Sequence, residues 1–249
     1  MIQYNPLQHL PTAYELPETD HKPVDSQLQV LIASLLDDIL AWSFSSRNDW
    51  FWGINMGVYY DPQKSPIVPD GFLCLGVERL KSAGGRLSYV VWQEGGIVPL
   101  LALEYVSKTY GGEYDTKRDN YANIGVTYYV VYNPEYFTRH HRSPFELYRL
   151  VKGNYVLQSG EPFWMPEIGL GIGRAQGTYR GWTREWLYWY DQKGNRFPST
   201  DERTALKEQE LEQSRQRAEQ AQQQLEQERR LREELIARLR ERGIDLGDL

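Results

Sequence analysis

Aromatic residues are confined to the first four-fifths of this 249-residue chain. All 33 of its phenylalanine, tryptophan and tyrosine residues lie at or before Phe197. Aromatic side chains contribute much of the area buried in a folded core, so the core is expected before residue 200. The last 49 residues instead carry 13 acidic and 10 basic side chains. We therefore expect a Pro-rich lead-in over 1–24, an aromatic-rich domain over 25–199 and a charged helical arm over 200–249.

The composition excludes several classes of protein. Charged residues make up 25% of the chain, an ordinary globular value, so wholesale disorder is excluded. The single cysteine, Cys74, cannot form an internal disulfide. The most apolar helical candidate, 28–42, is interrupted by Asp37 and Asp38 and is too short to span a bilayer. Because the N-terminus also lacks the pattern of a signal peptide, we expect a cytoplasmic protein without a membrane anchor.

The periodicity of apolar residues predicts an α/β domain. Apolar residues recur at helical spacing over 28–40, after a candidate N-cap at Asp25 or Ser26. Four apolar runs typical of strands covered on both faces follow, at 50–60, 67–75, 100–106 and 126–132. The segment 113–123 between the last two runs is predicted to be a helix that stops at Gly125. This strand–helix–strand order favours a parallel pair of strands.

Three further patterns follow residue 140. Residues 145–165 alternate around Gly153-Asn154, which is typical of a β-hairpin. Three tryptophans recur at i, i+4 and i+7 and predict one face of a short helix: Trp182, Trp186 and Trp189. Residues 169–174 are glycine-rich, but Gln176 stands where the dinucleotide-binding fingerprint requires its third glycine. We therefore expect residues 169–174 to form a loop.

The last part of the chain predicts a long helix. Residues 201–242 are rich in Gln, Glu and Arg and contain neither Gly nor Pro, so a continuous helix would be about 60 Å long. Two interleaved series at seven-residue spacing define a seam: Leu211, Ala218, Leu225, Arg232 and Leu239, with Ser214, Ala221, Glu228 and Leu235. Because this seam is partly polar, we expect a coiled-coil-like helix that pairs weakly, in a homodimer or with a protein partner through 201–242.

Two carboxylates, Asp70 and Glu104, lie inside apolar runs. A lone buried carboxylate is costly unless it is paired or bound to a metal. Adjacent strands are about 4.8 Å apart, so these two side chains could converge, and Mg²⁺ is commonly held by one or two carboxylates and water. The alternative is that backbone amides or an arginine satisfy each carboxylate separately. Glu113, Lys117 and Tyr121 follow at four-residue steps and predict either a site-facing helix face or an exposed Glu–Lys pair beside a packed Tyr.

The order of these residues resembles the putative restriction endonuclease family of the PD-(D/E)XK nuclease superfamily. The matching residues, within about 25–165, are Pro69-Asp70, Glu104, Ser107, Glu113, Lys117, Tyr121 and Gly125-Val126-Thr127-Tyr128-Tyr129. The resemblance implies a restriction-endonuclease-like αβββαβ core with a mixed central sheet, in a nuclease-like domain over 25–199. It also implies a Mg²⁺-dependent endonuclease that hydrolyses DNA phosphodiester bonds, with Asp70 and Glu104 as metal ligands and Mn²⁺ as a possible substitute.

The lysine departs from the superfamily pattern. The usual lysine lies two residues after the glutamate on the same strand, and that position is Val106 here. Members of the family place the lysine on the following helix, where Lys117 would fill the role. The resemblance thus gives Asp70, Glu104 and Lys117 as catalytic candidates, with Glu113, Tyr121 and Lys108 as secondary candidates.

The charge balance leaves two functions open. The first 200 residues carry 21 acidic and 18 basic side chains, which argues against tight nonspecific binding to duplex DNA. A local basic groove can coexist with an acidic average, and its candidates are Arg118, Arg139, Arg142, Arg149, Lys152, Arg174, Arg180 and Arg184. The alternative is a catalytically weak nuclease-fold protein that assembles through its C-terminal helix. Convergence of Asp70, Glu104 and Lys117 on a common cavity would favour the enzyme.

Overall fold

The computed structural model of the protein describes residues 10–13, 15–16, 26–108 and 110–242. The chain divides into two units, Met1–Thr200 and Asp201–Leu249. Most of the expected lead-in over 1–24, and the candidate N-cap Asp25, lie outside the described residues.

In the first unit both described α-helices precede Tyr128, and the elements from Tyr128 to Tyr190 are strands apart from one short 3₁₀ turn. Its helices and strands, in chain order, are α1 (Gln27–Ser43), β1 (Trp50–Ile54), β2 (Val58–Tyr59), β3 (Gly71–Leu75), β4 (Tyr89–Val90), β5 (Leu101–Tyr105), α2 (Thr116–Ile124), β6 (Tyr128–Tyr132), β7 (Phe145–Val151), β8 (Asn154–Leu157), β9 (Phe163–Met165), β10 (Leu170–Tyr179) and β11 (Trp182–Tyr190). Short 3₁₀ turns lie at Val91–Gln93 and Phe137–His140. The four predicted strand runs therefore contain β1 with β2, β3, β5 and β6.

The described strands form three sheets: a mixed central sheet, a smaller antiparallel one and a two-stranded parallel one. The central sheet has the order β1-β3-β5-β6-β7-β8. Its β5 and β6 are parallel, as strand–helix–strand order predicts, and its other neighbours are antiparallel. The smaller sheet has the order β11-β10-β9, and β2 pairs with β4. The sequence α1-β1-β3-β5-α2-β6 confirms the α/β fold class and is that of a restriction-endonuclease-like core.

Helix α1 packs its apolar face between the six-stranded and the three-stranded sheet. Ser26 is the N-cap, and its hydroxyl oxygen accepts a hydrogen bond from the backbone N–H of Gln29 at 3.3 Å. The indole N–H of Trp52 in β1 donates to the carbonyl of Ala33 at 3.1 Å. The indole N–H of Trp189 in β11 donates to a carbonyl one turn further along the same helix, at 3.0 Å. These two bonds attach α1 to one strand of the six-stranded sheet and one strand of the three-stranded sheet.

Two predictions for the region after residue 165 are wrong. The three tryptophans lie in strand β11, not on a helix, and the glycine-rich segment lies in strand β10, not in a loop. Trp186 and Trp189 are both buried although they point to opposite faces of their strand, because both faces are covered. Gly173 allows close packing with the start of β9: a Cβ atom there would lie 3.0 Å from the backbone of Pro162.

Turn and cap residues determine where the β7–β8 hairpin turns and where α2 begins and ends. Strands β7 and β8 pair across Lys152-Gly153, both with positive φ, which confirms the predicted hairpin. Helix α2 begins later than expected: Asp115 is its N-cap, so Glu113 precedes the helix. Gly125, with φ of 92°, ends it as predicted.

The second unit consists almost entirely of α3 (Thr200–Glu241), a continuous helix of 42 residues. No residue of α3 is buried. Ion pairs at i, i+4 lie along its surface, including Glu226–Arg230 at 2.9 Å and Arg229–Glu233 at 3.4 Å. The predicted long C-terminal helix is confirmed. In the described part of the chain, no helix has the length and apolar character needed to cross a bilayer.

Candidate active site

The two strand carboxylates face each other across β3 and β5. In this antiparallel pair Gly71 is opposite Leu103, so one further step of the register sets Asp70 opposite Glu104. Side chains directly opposed on neighbouring strands have Cβ atoms about 5 Å apart. Asp70, which is only 7% exposed, also accepts a hydrogen bond from the backbone N–H of Tyr105 at 2.5 Å. The sequence prediction that these carboxylates converge therefore agrees with the register.

Asp70 is held by a residue that the sequence did not single out. The side-chain amide of Gln29, in the first turn of α1, donates to Oδ1 of Asp70 at 2.5 Å. Oδ2 is the atom that accepts from Tyr105, so each carboxylate oxygen has its own donor. The signal in the sequence is weak, because Gln29 is one polar residue near the N-terminus of an apolar helix.

Glu104 is completely buried and has two partners from α2. The ammonium of Lys117 lies 2.8 Å from Oε2, and the hydroxyl of Tyr121 donates to Oε1 at 2.5 Å. The two partners are one helical turn apart, so both reach the same side chain from one face of the helix. The structure thus brings Glu104, Lys117 and Tyr121 together.

Glu113 joins the site from the loop before α2. Its Oε1 lies 3.6 Å from the ammonium of Lys117, and its Oε2 accepts from the backbone N–H of Gly111 at 3.0 Å. A Cβ atom on Gly111 would lie 2.6 Å from the same Oε1. Gly112 has a φ of 84°, which favours glycine. The two glycines allow the loop to wrap around a carboxylate that is 3% exposed.

Burial sets the protonation of the site. Desolvation raises the pKa of Glu104 to about 8, with a further contribution from the nearby charge of Asp70, against the lowering effect of Lys117. Desolvation likewise raises the pKa of Asp70 to about 6, although the Tyr105 amide and Lys117 oppose it. For Lys117, desolvation acts to lower the pKa, but the Glu104 carboxylate outweighs it and the pKa is raised. Both carboxyl groups are therefore harder to ionise than they would be in water, and the lysine stays cationic.

A cavity of about 300 Å³ opens onto this cluster. Its lining residues are Pro66, Ile67, Val68, Glu104, Gly111, Thr116, Lys117, Asn120 and Tyr121. Asp70 is not among the lining residues and is joined to the site through the backbone of Tyr105 and its charge. Two of the three catalytic candidates therefore share one cavity, and the third lies beside it.

A sequence model described as "Putative restriction endonuclease", that of the Uma2 family, matches residues 10–175. The chain belongs to the Uma2 family. No curated protein matches it. Membership suggests a nuclease of the restriction-endonuclease kind. The Uma2 match includes every candidate site residue and ends within β10, so α3 lies outside it.

Lys108 is placed differently from Lys117 in this Uma2 protein. It lies beyond the end of β5 and is exposed, and its carbonyl accepts from the guanidinium of Arg139 at 2.9 Å. Among the described residues, no hydrogen bond or ion pair joins its side chain to Glu104. The geometry therefore favours Lys117 over Lys108 as the lysine of the site.

The basic residues proposed for a groove are distributed over several elements. Four of the eight are in ion pairs with glutamates: Arg142, Arg149, Arg174 and Arg184. Arg118, on α2 beside the site, has its guanidinium 5.9 Å from the ring centre of Tyr148. Arg139 and Lys108 contact each other near the end of β5. Of the described basic residues, Lys117 is the one that lines the cavity.

Proposed function

We propose that this Uma2-family protein is a magnesium-dependent endonuclease that hydrolyses phosphodiester bonds in DNA. The observation that carries the proposal is the buried Glu104 carboxylate, which lines a cavity together with Lys117 and has Asp70 as its cross-strand neighbour. The Lys117 ammonium balances only one of these two buried negative charges, and a buried charge left unbalanced is costly. That arrangement supports a site for a divalent cation.

The donor set fits magnesium in kind and number. Among the described residues, no group of three or more His, Cys, Asp or Glu side chains is arranged to hold a metal ion. Mg²⁺ commonly takes one or two carboxylates and keeps several waters, so Asp70 and Glu104 are a sufficient protein contribution. The described residues that line the cavity include no histidine or cysteine, the ligands that zinc prefers. When bound, Mg²⁺ would polarise the phosphate and supply a nucleophilic water near neutral pH.

The chain's own groups have distinct parts in this proposal. Lys117, cationic at neutral pH, would hold a phosphate oxygen or balance the negative charge that develops during hydrolysis. Tyr121 fixes the orientation of Glu104 through its hydroxyl hydrogen bond. Gln29 does the same for Asp70. Glu113 keeps the ammonium of Lys117 directed toward the cluster.

The test is cleavage of supercoiled plasmid and linear DNA by purified protein with Mg²⁺, Mn²⁺ or EDTA. We expect nicking that requires the metal and is lost in Asp70→Ala and in Glu104→Ala, because each variant lacks one proposed ligand. Asp119→Ala is the matched control, since Asp119 is an exposed carboxylate on α2. Equal cleavage by the parent and an Asp70→Ala/Glu104→Ala double variant would overturn the assignment. Absence of metal-dependent cleavage by the parent would favour the nuclease-fold interaction protein.

A further inference from the structure

Helix α3 exposes a row of leucines. Leu225, Leu231 and Leu235 are 67%, 65% and 58% exposed, and no described residue of the helix is buried. Isolated helices gain little stability from propensity alone, and helices with an apolar stripe are normally covered by another chain or segment. Leu225 and Leu235 belong to the seam defined by the heptad series, and Leu231 lies beside it.

Two charged residues interrupt the seam. Glu228 and Arg232 occupy seam positions, one turn apart. Charged neighbours outside the seam are paired along the helix, as in Glu226–Arg230 and Arg229–Glu233. Within the described residues, Glu228 and Arg232 take part in no ion pair. Their charges are therefore available to a helix that packs on the seam.

A parallel, in-register pair of α3 helices would oppose like charges. In that arrangement each seam residue faces its own copy, so Arg232 would face Arg232 and Glu228 would face Glu228. Like charges in a partly desolvated seam are destabilising. The seam therefore disfavours the parallel pair in two adjacent layers.

An antiparallel pair removes this conflict in one register. In an antiparallel pair, residues of one heptad series face residues of the other series on the second helix. When the twofold axis lies beside residue 230, each Arg232 faces Glu228 of the second copy. The same register sets Leu225 opposite Leu235 and Ala221 opposite Leu239. A shift of one heptad in either direction places Glu228 opposite Leu225 or Leu239. One register thus matches both charge and apolar character in every layer from 221 to 239.

We propose that α3 binds α3 of a second copy of this chain as an antiparallel pair centred near residue 230. Leu231 lies beside the axis and would contact Leu231 of the second copy, which adds apolar contact. Arg229 flanks the opposite side and also approaches its copy, but each Arg229 is paired with Glu233 of its own helix at 3.4 Å. Thr200 lies 30 residues from the axis, so the two Thr200 residues are about 90 Å apart along the pair.

Charge exchange in the full-length protein tests both the pairing and its direction. We expect Arg232→Glu to raise the dissociation constant roughly tenfold or more, because two Glu–Arg contacts become two Glu–Glu contacts. The double variant Glu228→Arg/Arg232→Glu should return it to near the parental value. Arg230→Glu is the control: it makes the same charge change and breaks the Glu226 pair, but it lies outside the seam. Association is measured by sedimentation equilibrium, and helix content by circular dichroism.

Cysteine cross-linking gives an independent readout of direction. A mixture of the full-length Leu225→Cys and Leu235→Cys variants should form a disulfide between the two variants, whereas neither alone should form one. Disulfide formation by Leu225→Cys alone would require a parallel pair and would overturn the proposal. A monomeric parent, or equal dissociation constants for the parent and Arg232→Glu, would also overturn it and leave another protein as the occupant of the seam.

Discussion

Substituting Asp70 by asparagine is expected to stabilise the metal-free protein at neutral pH. The carboxylate is 7% exposed and faces Glu104, so its charge is desolvated without a full counter-charge. Asparagine keeps an acceptor for the Tyr105 amide, and Gln29 can turn its own amide to present an oxygen to the new NH₂ group. The substitution therefore removes the charge and retains the hydrogen bonds.

The magnitude follows from the pKa of this carboxyl. Burial raises the pKa of Asp70 from 3.8 to about 6, and a difference of about two pH units corresponds to about 3 kcal/mol. Because the folded pKa lies above the unfolded one, the favourable contribution of protonated Asp70 is fully present below pH 3.8 and is lost as the pH rises through about 6. We expect Asp70→Asn to exceed the parent by about 1–3 kcal/mol at pH 7 and to match it near pH 4.

The assay is urea unfolding of metal-free protein at pH 4, 5, 6 and 7, with Asp119→Asn as an exposed control carboxylate on α2. Addition of Mg²⁺ then gives a second readout, because a ligand that binds only the folded state raises its melting temperature. This rise should occur in the parent and in the control but not in Asp70→Asn. If Asp70→Asn is less stable than the parent by the same amount at every pH, then the carboxylate is a structural acceptor and the reasoning about the burial of its charge is refuted.

Three other expectations can be checked with purified variants. Lys117→Ala should lose at least tenfold more cleavage activity than Lys108→Ala, with the Mg²⁺-induced rise in melting temperature retained, because the ammonium acts on the phosphate or water; the reverse order would identify Lys108 as the lysine of the site. Gly111→Ala should displace the Glu113 carboxylate, because the new Cβ atom would lie 2.6 Å from its Oε1, and should cost about 1 kcal/mol of unfolding free energy, whereas Gly84→Ala, with no atom within 4 Å, should be close to neutral. A chain that ends at Thr200 should stay folded and active, because every site residue precedes α3. Its mass by light scattering should correspond to fewer chains per particle than that of the full-length protein at the same concentration; loss of folding would place α3 in the domain core.

The sequence was sufficient where one physical signal dominated. The four apolar strand runs, the stop at Gly125 and the Gly153 hairpin each follow from local chemistry, and the structure contains all of them. The position of Asp70 opposite Glu104 is also accessible from sequence, because costly carboxylates in two neighbouring apolar runs predict a shared compensating group. Whether these residues are catalytic stays a prediction.

Other features depended on tertiary contacts that no local pattern encodes. The spacing of the β11 tryptophans fits a helix face, yet their burial comes from contacts on both sides of a strand, including the bond from Trp189 to α1. The glycines of β10 appear as a loop in sequence because the reason for Gly173, the approach of Pro162, is not a local one. Gln29 was missed for the same reason: its partner Asp70 lies 41 residues away.

The attachment of α1 to both sheets has a consequence for local unfolding. Indole donors from Trp52 and Trp189 bind main-chain carbonyls in the middle of the helix, and the same helix supplies Gln29 to Asp70. The described residues that line the cavity include none from the three-stranded sheet, but this sheet fixes the axial position of the helix that orients a site carboxylate. Native-state hydrogen exchange should therefore show the α1 amides opening together with those of β1 and β11, as one cooperative unit rather than as a separate helix.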